Sequence, residues 1–101
     1  MIRRVVLLAE VKRDLQEAYS WYEERSPGLG AEFLRNVEAC LSLTVRNPEI
    51  RGIVFKNYRR ALVRRFPFAV FYEAEKISLV VYAAFHCSQH PARWRRRFKA
   101  R

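Results

Sequence analysis

One histidine, one tyrosine and a set of arginines carry most of the chemistry open to this chain. His86 ends an apolar run from Ile77, and Tyr82 lies four residues before it, so strict alternation places both rings on one strand face. An imidazole that titrates near neutral pH is a candidate acid or base. Arg60 and Arg64 are candidate clamps for a phosphate or carboxylate, because a planar guanidinium pairs bidentately with such oxyanions. Arg59, Arg65, Arg93 and Arg96, with Trp94, extend the set into a basic rim suited to an anionic partner. Against this stand plainer readings, since a histidine at a strand end is usually a surface residue and a charged run is often a solvated end.

The distribution of charge favours binding. Residues 1–50 hold seven Lys or Arg against eight Asp or Glu, a net of −1, whereas residues 51–101 hold thirteen against two, a net of +11. Sixteen of the twenty cations are arginine, which points to a polyanion or an acidic protein as the partner. The segment His86-Cys87-Ser88-Gln89-His90 has zinc-capable side chains, but a structural zinc site takes four ligands at compatible spacing, so no metal and no cofactor is assigned. Two cysteines, Cys40 and Cys87, make no disulfide framework. The apolar run after Arg3 and Arg4 ends at Glu10, too short for a signal peptide or a membrane span, and the reading is a soluble, cytoplasmic protein with no membrane partner.

The elements that must position these groups follow from periodicity. With 101 residues the chain suits one domain over 1–101, including a basic tail over 92–101. Ile2 to Leu8 reads as a strand. From Ala9 to Arg25 the residues Val11, Leu15, Ala18, Tyr19 and Tyr22 fall at helical spacing. Ser26-Pro27-Gly28-Leu29-Gly30 breaks that helix, and a second follows from Gly30 to Arg46, ended by Asn47-Pro48. A short strand at Ile53 to Phe55 is followed by a meander: Tyr58 to Arg64, Phe68 to Ala74 and Ile77 to His86, with turns at Arg65-Phe66-Pro67 and Glu75-Lys76. The odd positions Ile77 to Phe85 are all apolar and predict the core face. Trp94 and Phe98 anchor the tail. Strand, helix pair, then strands predict an α+β fold with two helices on one face of a largely antiparallel sheet, the arginine-fringed reverse left open.

With these pieces in view the sequence resembles the RelE/ParE superfamily of bacterial type II toxins, and its ParE-like, plasmid-stabilisation branch in particular. The resemblance is carried by Asp14-Leu15 with Glu17-Ala18 and Trp21-Tyr22-Glu23, by Pro27-Gly28-Leu29-Gly30 with Phe33, by Arg65-Phe66-Pro67-Phe68 with Tyr72, and by His86 with Pro91 and Trp94. It implies a strand, two-helix hairpin and three-stranded meander, a small acidic antitoxin as partner, and growth arrest when that antitoxin is lost. Homodimers and toxin–antitoxin hetero-oligomers are both compatible with it.

Two mechanisms compete within the superfamily. ParE-like members poison DNA gyrase, while RelE-like members cut messenger RNA on the ribosome. RNA cleavage through the 2′-hydroxyl needs a proton acceptor, a proton donor and cations for the crowded phosphorane. His86, Tyr82, Arg60 and Arg64 are the residues available for it. RNase-type relatives often carry an arginine in the middle strand, where this chain has Ala69, and a tyrosine or basic residue after the strand-end histidine, where it has Cys87. Many ParE-like relatives show Arg-Arg-Asp where this chain has Ser88-Gln89-His90. The expected function is therefore gyrase inhibition, with ribosome-dependent cleavage, or an inactive relative that only binds antitoxin, as alternatives.

Overall fold

The computed structural model describes residues 1–89 and 91–99, the side chains of Trp94 and Lys99 excepted. The roles expected of His90, of the Trp94 side chain and of the end of the tail at Arg101 lie outside the described residues. In chain order the elements are β1 (Arg4–Leu7), α1 (Ala9–Arg25), α2 (Leu29–Arg46), β2 (Ile53–Phe55), β3 (Tyr58–Leu62), β4 (Phe68–Ala74), β5 (Ser78–His86) and α3 (Pro91–Lys99). The strand, the helix hairpin and the meander stand where periodicity put them. The tail does not, because most of it is helix.

Helix α1 starts without a side-chain cap, Leu8 being extended, and stops where Ser26 turns extended while its N–H still bonds the Tyr22 carbonyl. The start of α2 is capped from outside. Glu23 of α1 accepts from the N–H groups of Gly28 and Gly30 at 2.8 and 2.9 Å, supplying the negative charge a helix N-terminus favours. Those bonds, led by the one from Gly28, hold its carboxyl below the usual glutamate range. Gly28 has φ +88°, which a side chain rarely tolerates. At Gly30 the helices nearly touch: a Cβ there would lie 2.7 Å from the Tyr19 carbonyl oxygen.

One five-stranded sheet has the order β1-β5-β4-β3-β2. β1 runs parallel to β5, and every other pairing is antiparallel. The α1–α2 hairpin therefore carries the chain from one sheet edge to the other across a single face. Val11, Tyr22, Phe33 and Val37 of the hairpin meet Phe68, Val70, Tyr72, Leu79 and Val81 of the sheet in the main core.

The reverse face corrects an expectation. It is not open: α3 lies across it and buries Phe98, 1% exposed, against Tyr58, Ala69, Phe71, Ala83 and Phe85. The molecule thus has three layers, with a helix pair, a sheet and a single helix. Phe98 stacks on Tyr58 at 4.1 Å between centroids and meets Phe71 at 5.6 Å. Burial of that ring is worth about 1.5–3 kcal/mol, which is what holds so basic a helix down.

A second correction concerns β5. Phe71 pairs with Ala83 but Tyr72 pairs with Val81, so Tyr82 is an extra residue, a β-bulge. Alternation changes phase there. Leu79 and Val81 point to the helix pair as expected, whereas Ala83 and Phe85 point to α3 and Ala84 to the helix pair.

Candidate functional site

The bulge decides where the candidate catalytic groups go. Tyr82 packs on the α3 side, edge-on to Tyr58 at 4.8 Å, and its hydroxyl lies 3.5 Å from Glu73 Oε1. Burial, with Glu73 adding to it, pushes its phenol pKa up. His86 pairs across the strands with Phe68, which belongs to the helix-pair core, and lies edge-on to that ring at 5.7 Å. The two rings are therefore on opposite faces, not on one. Arg60 pairs with Phe71, three residues along the strand from the position opposite His86, and faces the α3 side. At about 3.4 Å per residue that offset alone is about 10 Å. A cleaving set of His86, Tyr82 and Arg60 is not assembled.

His86 has a different setting. Its Nδ1 accepts from the Ser88 N–H at 3.0 Å and lies 2.8 Å from Ser88 Oγ, which leaves the proton of the neutral ring on Nε2. Beside it a cavity of about 400 Å³ opens between α1, the end of β5 and the start of α3, lined by Trp21, Tyr22, Phe68, Phe85, Gln89 and Arg93 among others. Trp21 is half exposed, with the Arg25 guanidinium 3.5 Å from its ring centroid. Gln89 Oε1 is buried without a hydrogen-bond partner among the described residues. The cavity is mostly apolar, so it suits a side chain or small ring better than an ion.

The arginines fall into two groups. Arg59 donates to the carbonyls of Glu49 and Arg51 at 3.0 and 2.6 Å, holding the loop before β2. Arg65, with φ +71°, is exposed and pairs with the partly buried Glu32 of α2 at 3.4 Å. These two serve the helix-pair side. Ala61 and Val63 point into the main core, so Arg60 and Leu62 of β3 turn toward the α3 side, while Arg64 lies exposed in the turn that follows the strand. Arg93 and Arg96 are exposed on α3. Arg93 and Arg97 sit over the Phe85 ring at 5.8 and 4.7 Å, and Arg95 lies 5.9 Å from the Phe55 ring.

One ion pair fixes α3 in place. Arg97 donates to both oxygens of Asp14 in α1, at 2.8 and 3.2 Å, and Asp14 Oδ2 also accepts from the Ala84 N–H at 3.3 Å. β1 pairs only as far as Val81, so this carboxylate serves the β5 edge where the neighbouring strand has ended. Neither Asp14 nor Arg97 stood out in the sequence as a site residue. Asp14 entered only among the residues that carry the family resemblance, with no role attached, and its partner is 83 positions away. Among the described residues no group of three His, Cys, Asp or Glu is placed to hold a metal ion, and no helix is long and apolar enough to cross a membrane.

Comparison with known proteins places this architecture. A solved structure described as the chromosomal ParDE TA system from P. aeruginosa is similar in fold, with a TM-score of 0.74 over 85% of this chain and 96% of that one. Sequence identity is 12%, so the likeness is one of fold. No curated protein matches in sequence. The family described as ParE toxin of type II toxin-antitoxin system, parDE, matches residues 5–91, from β1 to the first residue of α3. On that match the chain belongs to the ParE toxin family.

Proposed function

We propose that this chain is the growth-arresting toxin of a two-gene module, that its target is DNA gyrase, and that a cognate acidic antitoxin neutralises it by binding the basic rim of the meander and the exposed side of α3. Its place of action is then the cytoplasm. The observation that supports an inhibitory binding protein is the sorting of charge by layer. The α1–α2 pair carries seven of the ten carboxylates against five of the twenty cations, while Arg60 of β3 faces the α3 side and Arg93 and Arg96 are exposed on α3. An acidic segment that folds on binding suits such a surface. The separation of His86 from Tyr82 and Arg60 counts against cleavage chemistry. The remaining proposed contacts are His86, at the mouth of the cavity, and Arg59 and Arg65 at the rim.

Induced expression with DNA supercoiling, double-strand breaks and transcript integrity read together tests this. Loss of supercoiling with intact transcripts is expected, and co-expression of the neighbouring acidic reading frame restores growth. New transcript cuts that vanish in His86→Ala would overturn the gyrase reading in favour of the nuclease one. Wild-type induction without arrest would overturn both.

A further inference from the structure

We infer that the face formed by α2 and the free edge of β1 binds a second copy of this chain, α2 against α2 and β1 against β1 about one two-fold axis. This face lies apart from the basic rim and α3, and the inference does not rest on the toxin reading. β1 is the end strand of the sheet, and among the described residues no strand pairs with its outer side. The N–H groups of Arg4 and Leu8 donate to Ile77 and Val81 of β5, so alternation turns the N–H and C=O groups of Val5 and Leu7 outward. Val5, 39% exposed, shares a groove with Glu38, Leu41, Ser42, Val45 and Arg46 of α2. Val45 and Arg46 continue into a second groove with Met1, Ile2 and Ala74. Apolar groups gathered along a free strand edge and rimmed by charges mark a protein contact.

The charge pattern selects the partner. Glu38 and Arg46 are exposed, make no ion pair among the described residues, and stand four positions either side of Ser42. A two-fold axis beside Ser42 sets α2 antiparallel to its copy, so Glu38 faces Arg46 of the other chain, and the contact occurs twice. A uniformly acidic or basic partner meets a like charge at one end of this groove, whereas an inverted copy meets none. α2 holds two carboxylates and two guanidinium groups, so this face adds no net charge to the repulsion between chains of +10. Because Val5 lines the groove with Ser42, the same axis brings the two β1 edges together antiparallel, each supplying donors and acceptors to the other. Arg4 is drawn back over β5 by its bond to Ser78 Oγ at 2.9 Å, which clears its charge from the edge.

The test is sedimentation velocity of the purified full chain over a dilution series. The expected result is a mass that rises with concentration to twice the 12.1 kDa of the chain. Glu38→Arg and Arg46→Glu each turn two attractions into two repulsions and weaken the dimer about tenfold. Joined in one chain they exchange the charges and restore association to within about threefold of the wild type, a rescue that only an inverted copy allows. Val5→Lys puts a charge at the axis and abolishes the dimer, whereas Leu62→Lys, at an exposed site on β3, leaves it intact. Circular dichroism confirms that each variant folds. A wild type that sediments as a monomer throughout, single variants without effect, or a charge exchange that fails to restore association overturns the proposal. So does a monomeric wild type whose binding to the neighbouring acidic protein is lost in Val5→Lys, which assigns the face to that partner. Growth arrest is not read in this assay, so a monomer that arrests growth removes this inference alone, and a dimer without arrest removes only the toxin reading.

Discussion

Asp14→Ala should loosen the whole α3 layer, and the size of the effect follows from what the carboxylate touches. It takes two hydrogen bonds from Arg97 and one from the Ala84 N–H, with side-chain exposures of 12% for Asp14 and 20% for Arg97. Breaking a fully buried pair costs about 3–5 kcal/mol, and an exposed one contributes about 0–1. This pair lies between, since Arg97 can swing partly into water, so about 2 kcal/mol is assigned to the stranded guanidinium. The lost bond to Ala84 adds about 1 kcal/mol. Asp14→Ala is thus expected to cost about 3 kcal/mol of the 5–15 typical of a domain, and Arg97→Ala about 2, as Asp14 keeps Ala84. In the double variant each stranded charge is gone and the lost Ala84 bond, about 1 kcal/mol, remains, so the coupling should reach about 3–4 kcal/mol. Urea unfolding of the wild type, both singles and the double measures it, and amide exchange over 91–99 should rise in each variant. Coupling below about 0.5 kcal/mol, the ordinary error of additivity, would refute the pin.

Phe98→Ala should cost about 3–5 kcal/mol if α3 stays docked around the hole, and less, with fast exchange over 91–99, if the helix lets go. Unfolding and exchange data together distinguish the two, and unchanged stability would contradict a buried ring. Gly30→Ala drives a methyl into the Tyr19 carbonyl and should lower the melting temperature by at least several degrees for each kcal/mol lost, read by thermal unfolding. Glu23 has a lowered folded pKa, so its contribution is present above the unfolded value and is lost as pH falls through the lower folded one. Stability should therefore fall more steeply below about pH 4 in the wild type than in Glu23→Gln, whose amide does not titrate.

Much of this was legible because the signals were local. Ser26-Pro27-Gly28 and Asn47-Pro48 punctuate the helices, and the meander strands are apolar runs between turn residues. What stayed hidden depends on partners distant in sequence. Parallel pairing of β1 with β5 leaves no mark on either strand. The Tyr82 bulge exists only relative to the register of β4, and without it every odd residue from Leu79 to Phe85 would share a face. The arginines from Arg93 to Arg97 read as part of a basic tail anchored by Trp94 and Phe98, although Pro91 at a first helical position and those two apolar residues four apart fit a helix. Charge outweighed period in that reading. The arginine surface was foreseen in composition but not in place: Arg59 and Arg65 went to loop and helix contacts because strand alternation and a left-handed turn residue aim them there.

Layered charge has a consequence for encounter. Carboxylates in the helix pair and the guanidinium groups of α3 on the far side give the molecule a permanent electric dipole across the sheet. In the field of a polyanion that dipole feels a torque once within about one screening length, roughly 8 Å at physiological ionic strength. The chain is turned before it touches, so a larger fraction of collisions present the productive hemisphere than random tumbling would allow.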